Sequence, residues 1–206
     1  MNPQDYKVLI LVATGVLALL VASPALQRLL VLPQTEFYTE FWILGPEHKA
    51  EGYPFNVTSG SSHNVFVGVA NHLGHEAYYS IQVKFRNQNQ SAADSFNRTP
   101  SSLPALFRFN AFVADKETLE IPLSFSFSYL YNANLSRVDF ANLVLNGNVL
   151  NLGEYSIPWD SERNGFLGNL LFELWIFDDS VGGFRYHERF TGLWFNMTVP
   201  ETLEGL

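Results

Sequence analysis

The sequence predicts an all-β, antiparallel sandwich behind one N-terminal transmembrane helix, and three observations carry that prediction. Val8 to Leu26 is uncharged and apolar on every side. Every later apolar stretch is short and alternates with polar residues. Turn residues (Gly, Pro, Asn) separate these stretches at regular intervals, and seven or so strands spaced this way form two packed sheets.

The first element is the helix. Nineteen residues at about 1.5 Å each span roughly 28 Å, close to the ~30 Å hydrocarbon core of a bilayer. A core helix would carry one apolar stripe, not an apolar surface all round. A cleaved signal peptide would use Ser23-Pro24-Ala25, but the run exceeds a normal h-region and Asp5 offsets Lys7. A retained anchor over 7–32 is expected, with 1–6 cytoplasmic and 33–206 an extracytoplasmic β-domain. Pro24 falls near the outer end, where a kink or an early stop costs least. Lys7 and Arg28 flank the run on opposite sides, so orientation rests on the domain behind it. That domain holds sequons at Asn56, Asn89, Asn97, Asn134 and Asn196. Pro100 disfavours Asn97, leaving Asn56, Asn89, Asn134 and Asn196 as expected glycosylation sites.

The strands follow in order. Phe37 to Leu44 is aromatic and β-branched and stops at Gly45-Pro46. Val65–Ala70 and Tyr78–Phe85 read as a hairpin across NHLGHE, with Tyr79, Ile81, Val83 and Phe85 on one face. Residues 87–102 are polar and aperiodic, an exposed loop. Leu106–Val113 and Leu119–Leu130 are two further strands. In the second, Leu123, Phe125 and Phe127 face one way, and Pro122 belongs at an edge or strand start. Residues 131–165 loosen into an elaboration between core strands, with a hairpin turn at Asn146-Gly147. Leu170–Phe177 and Arg189–Val199 close the domain, joined through the turn at Asp178–Gly183.

Three segments form an ordered set: Phe37-Tyr38-Thr39-Glu40-Phe41-Trp42-Ile43-Leu44-Gly45-Pro46, then Lys49-Ala50-Glu51-Gly52-Tyr53-Pro54, then Val67-Gly68-Val69-Ala70-Asn71-His72-Leu73-Gly74. The set resembles an uncharacterised, mostly archaeal membrane-protein family whose first strands read T-E-F-Y-x-L-G-P, K-A-x-x-Y-P and N-H-E-G. Tyr186 to Val199 is similar to its last strand. The resemblance implies transmembrane helices followed by an exported immunoglobulin-like domain, and it brings no activity. This chain departs from it in having one anchor helix and the 131–165 insertion.

Composition narrows the function. With 0 Cys there is no disulfide, thiolate metal site or cysteine nucleophile. A net charge of −8, with 12 Lys+Arg scattered along the chain, excludes a nucleic-acid partner. Neither a G-x-S-x-G elbow nor a phosphate or dinucleotide loop occurs.

Four constellations remain. His72 and His75 flank Gly74 and are the sole metal candidates, needing a third ligand from elsewhere. Asp178-Asp179 lacks the D-x-D-x-D-G spacing of a calcium loop. Glu173 with Asp160 has the residue types of a glycosidase pair, but Glu173 falls on the polar side of LLFELWIF and is expected to be exposed. Trp42, Trp159, Trp175 and Trp194 would suit sugar stacking if exposed, but at strand positions they are expected in the core. No catalytic residue and no cofactor is expected.

The function expected from these residues is a non-catalytic binding or assembly module, single-pass in the cell membrane. It would touch lipid through its helix and a protein partner at the membrane or cell surface. One alternative is an accessory subunit of a larger membrane complex, with Gly15 and Ala18 as packing points. Another is a carbohydrate-binding or carbohydrate-active surface protein, favoured if two tryptophans share an exposed face.

Overall fold

The computed structural model describes residues 3–29, 36–153 and 155–199. The expected tail at 1–2, the end of the anchor at 30–32 and the ends of the β-domain at 33–35 and 200–206 lie outside the described residues. Two units are present, one reaching Glu36 and one starting at Phe37.

The first unit holds a helix, α1 (Pro3–Leu29), containing one segment, Tyr6–Ser23, long and apolar enough to cross a membrane. Residues 3–6, expected as a tail, are its first turn. Thr14 donates its hydroxyl to the Ile10 carbonyl at 2.8 Å, which satisfies the one hydroxyl in the middle of the run. The helix continues through Pro24 to Leu29 rather than stopping there.

The second unit is a β-sandwich, with eleven strands among the described residues. One sheet orders β1 (Tyr38–Leu44), β3 (Ser62–His72), β6 (Thr118–Asn132), β7 (Arg137–Leu145) and β8 (Asn148–Asn151), with β9 (Ser156–Pro158) also on β7. The other orders β2 (Asn56–Thr58), β11 (Gly183–Thr198), β10 (Leu167–Asp178), β4 (Ala77–Asn87) and β5 (Phe107–Val113). All pairings are antiparallel except the short parallel contact of β2 with β11. Period-2 faces meet between the sheets: Leu123, Phe125 and Phe127 from the first, Tyr79, Ile81, Leu170, Phe172 and Phe195 from the second. The rings interlock, with Phe125 at 5.2 Å from Phe195 and Phe85 at 5.1 Å from Phe127.

Two expectations are corrected. β3 and β4 are not a hairpin: β3 pairs β1 and β6, while β4 pairs β5 and β10 in the opposite sheet. The chain crosses between sheets at 73–76, so Val67 and Val69 face Tyr79 and Ile81 through the core instead of lying beside them. Asn71 holds the crossing. Buried completely, it donates to the His75 and Val113 carbonyls at 2.8 Å each and accepts from the Leu73 N–H. Gly74 adopts φ +78°, and a Cβ there would press into the Phe37 ring. The second correction is that 131–165 is no mere elaboration. β7 is an interior strand whose Val138, Phe140, Leu143 and Leu145 are buried in the core. Its hairpin to β8 turns at Asn146-Gly147, both at positive φ, as a two-residue primed turn requires. Pro122 meets its expectation, because β7 pairs β6 only from Phe125 onward and leaves Pro122 on a local edge.

Candidate functional site

The second sheet's outer face is the most built surface of the molecule. Along β4 the inward set alternates with Tyr78, Ser80, Gln82, Lys84 and Arg86, which point away from the core. Register places Gln82 opposite Glu173 and Lys84 opposite Leu171, so Lys84 and Glu173 are diagonal neighbours. Their charged ends meet at 2.8 Å, with side chains 3% and 0% exposed.

A loop seals them. The segment between β4 and β5, expected over 87–102 to be an exposed loop, folds over this face, with Ala93 and Ser101 buried. Ser101 donates its N–H to Glu173 Oε1 at 2.7 Å, and its carbonyl accepts from Lys84 Nζ at 2.7 Å. Trp175 Nε1 donates to Glu173 Oε2 at 3.3 Å. Asp94 shapes the loop tip by accepting from Phe96 N, Asn97 N and Asn97 Nδ2; the Asn97 hydrogen bonds hold its carboxyl below the usual range. A buried ion pair is stable only when its remaining hydrogen-bonding capacity is filled, and this loop fills it. The expected exposure of Glu173 is thus overturned: the loop, not the strand, decides it.

Beside the pinned segment runs a groove of about 560 Å³. Its floor is Ser80, Gln82, Arg108 and Asn110, and Trp175 and Phe184 stand against it, facing the Pro100–Ala105 wall. Phe184 continues into an aromatic patch. Tyr78 stacks on Phe112 at 4.2 Å and meets Phe184 at 5.1 Å, and Phe177 meets Phe184 edge-on at 5.5 Å. Phe112 is 72% exposed.

The four tryptophans correct the core reading of their strand positions. None is buried: Trp42, Trp175 and Trp194 are half-covered and Trp159 is 44% exposed. Trp42 lies over Gly68, where a Cβ would overlap its ring. Trp175 and Trp194 share the second sheet's outer face, but Arg86 roofs Trp194 at 4.6 Å and is itself held by Asn169 and the Gln90 carbonyl.

The other candidates are engaged locally. His72 stacks on Tyr38 at 4.6 Å with Glu40 at 3.7 Å, while His75 bonds the Leu73 carbonyl at 3.0 Å. Among the described residues no group of three His, Asp or Glu is placed to hold a metal. Asp178 accepts from Ser180 N and Oγ and pairs with Arg185 at 2.8 Å, an arrangement that lowers its pKa. Asp160 caps the Glu162 and Arg163 amides in a tight turn before β10 and has no contact with Glu173. Asn89 and Asn134 are exposed. Asn196 is half-buried, with its amide bonded to Phe166 N and Asn56 Oδ1.

Sequence reasoning missed three features: the Lys84–Glu173 pair and the groove on this face, and His187 at the sandwich end. The pair had a signal, since Glu173 is the one charge among outward Leu171, Trp175 and Phe177. His187 had none. A bulge in β11 between the partners of Leu174 and Trp175 turns it toward the sandwich end, where its Nε2 meets Thr39 Oγ1 at 2.8 Å. Thr39 in turn meets Tyr79 OH at 3.0 Å, and Tyr79 reaches Asn71. Thr39, Asn71 and Gly74 of the resembling segments therefore secure one end of the fold. Tyr53 acts likewise, donating to the Ile43 carbonyl at 2.8 Å.

Among curated proteins none matches the chain. Solved structures of a beta-glucosidase from Listeria innocua share some likeness. The glucose complex is 14% identical over 83% of this chain and 19% of that one, with a TM-score of 0.34. Another structure of it is 13% identical over 82% and 18%, with a TM-score of 0.37. The chain spans about a fifth of that protein's length, and likeness this slight bears on no activity. A model of a family described as a domain of unknown function, DUF1616, matches residues 32–140; that is more than half of the 206 residues, and the chain belongs to this family.

Proposed function

We propose that this protein is a membrane-anchored, non-catalytic binding module working outside the cytoplasm, and that it contacts a protein partner through the outer face of its second sheet. The observation that carries the reading is the groove with its adjoining aromatic patch. Exposed clustered aromatics rimmed by polar groups are the composition of a contact surface. The acid–base groups nearby favour the non-catalytic reading, because Lys84 and Glu173 are spent on each other and on Ser101. The apolar helix supplies the anchor and touches lipid. Exposed Asn89 and Asn134 are the best glycan acceptors, and Asn196 is the poorest, since its amide serves the fold.

The test is purification of the full chain in mild detergent, with identification of co-purifying chains, for the wild type and Phe112→Ser. The expected result is a stoichiometric partner lost in the variant. A partner retained equally by both would remove this face from the reading. A second reading, saccharide binding, is favoured by Trp175, which presents a ring beside Gln82, Asn110 and Arg108. It predicts a change in tryptophan fluorescence on adding oligosaccharide, absent in Trp175→Phe.

A further inference from the structure

The two sheets treat their edges differently. Where β1 forms an edge, Thr39 faces away from β3, and its carbonyl is met by Arg189 Nε while the Ile43 carbonyl is met by the Tyr53 hydroxyl. β2, β8 and β9 are only three or four residues long. These are the ordinary ways of blunting an edge. β5 has fewer of them: one charge, Arg108, and one carbonyl, that of Val113, met by the Asn71 amide. It runs seven residues, Phe107–Val113, without proline, lysine or bulge, and no described residue pairs with its free side. Its inward Phe107, Phe109 and Ala111 are half-covered rather than buried, because the sheet stops there.

The side chains of β5 complement themselves. Antiparallel pairing of two copies about Asn110 sets Arg108 opposite Phe112, Asn110 opposite Asn110 and Phe109 opposite Ala111. Directly paired residues share a face. Each guanidinium then covers an exposed ring of the other copy, a cation–π contact. The two amides at the dyad bond reciprocally, and the inward apolar residues extend both cores. The two arginines fall at opposite ends of the seam and do not oppose each other.

We infer that β5 is a self-pairing edge through which two copies of this chain join their second sheets into one ten-stranded sheet. The occupant of the edge is a second copy because the seven-residue strand is complementary to its own reverse. A seam of one strand is smaller than a standard interface, so it needs the high local concentration that membrane confinement supplies. In that respect the inference rests on the anchored-module reading, and it names one partner for it.

The chain's lack of cysteine provides the experiment. Asn110 is exposed and makes no side-chain hydrogen bond, so Asn110→Cys keeps the fold. Paired antiparallel residues have Cα separations of about 4.5–5.5 Å, within disulfide range. In membranes holding full-length protein, mild oxidant should cross-link Asn110→Cys into a homodimer much faster than Val149→Cys, a collision control on exposed β8. Arg108→Cys and Phe112→Cys should each stay monomeric alone and cross-link when co-expressed. Adding Asn110→Asp to both members of that pair sets two carboxylates across the dyad and should abolish the cross-link. Equal rates for Asn110→Cys and Val149→Cys, or capture of a different chain at Asn110, would overturn the dimer. If other chains still co-purify in those cases, the module reading survives without it.

Discussion

At the residue scale, the decisive side chains are charges inside an apolar setting. Glu173 and Lys84 are sealed beneath Ser101, so removing one leaves the other buried without its counter-ion. Glu173→Gln should therefore destabilise the β-domain by about 3–5 kcal/mol, whereas Lys84→Met with Glu173→Leu should recover most of that loss. Urea unfolding of the wild type and the two variants measures this; a Glu173→Gln value within experimental error of wild type would mean the pair is solvated. His187 gives a pH dependence. Burial first, then Arg189 and Arg185, lower its pKa to about 4. Unfolded, it titrates near its ordinary 6.5, so between those values the unfolded chain binds the extra proton. The stabilisation is thus full above pH ~6.5 and lost as pH falls through about 4, worth on the order of 2 kcal/mol after allowance for partial exposure. Unfolding of wild type against His187→Gln at pH 7 and pH 4.5 should show the wild type losing more. His187 was illegible in the sequence because a bulge, not its position in a pattern, turns it inward.

At the element scale, alternation was enough to assign the inward faces of the strands at 78–85, 119–130 and 170–177. Phe125, inferred from LSFSFSY to face inward, lies 1% exposed against Phe195. Phe125→Ala should cost about 3–5 kcal/mol, and a change below 0.5 kcal/mol would contradict its place in the core. What alternation could not specify was which strands lie side by side. Val65–Ala70 and Tyr78–Phe85 have the pattern and spacing of a hairpin, yet face each other across the core. A short Gly-containing link serves either geometry; here the Asn71 amide satisfies the Leu73 N–H and the His75 carbonyl of the link. The same limit applies to β7. Its Asn-rich surroundings mask an interior strand, because Val138, Phe140, Leu143 and Leu145 alternate only around an irregularity between Ser128 and Tyr129 on β6. The loop before β5 is the third case: Ser101 is unremarkable in sequence and is buried through its bonds to the charge pair beneath it.

At the scale of the whole molecule, one helix able to span a bilayer precedes one β-domain. If the domain is outside the cytoplasm, protease added to intact cells should digest 36–199. Native protein from a glycosylating host should also exceed its sequence mass by glycan increments at Asn89 and Asn134. Protection of the domain until lysis would reverse the orientation. The sequence by itself determined the apolar helix, the all-β class and the inward faces of the strands at 78–85, 119–130 and 170–177. Each is a local periodic property, set by a side chain and its near neighbours along the chain. Only the tertiary structure decided which strands share a sheet, that Glu173 is buried, that a groove opens beside the 88–106 loop and that β5 ends its sheet with no described residue paired beyond it. These depend on register and on loops closing over residues distant in sequence, where many pairings satisfy the same local pattern and packing selects one.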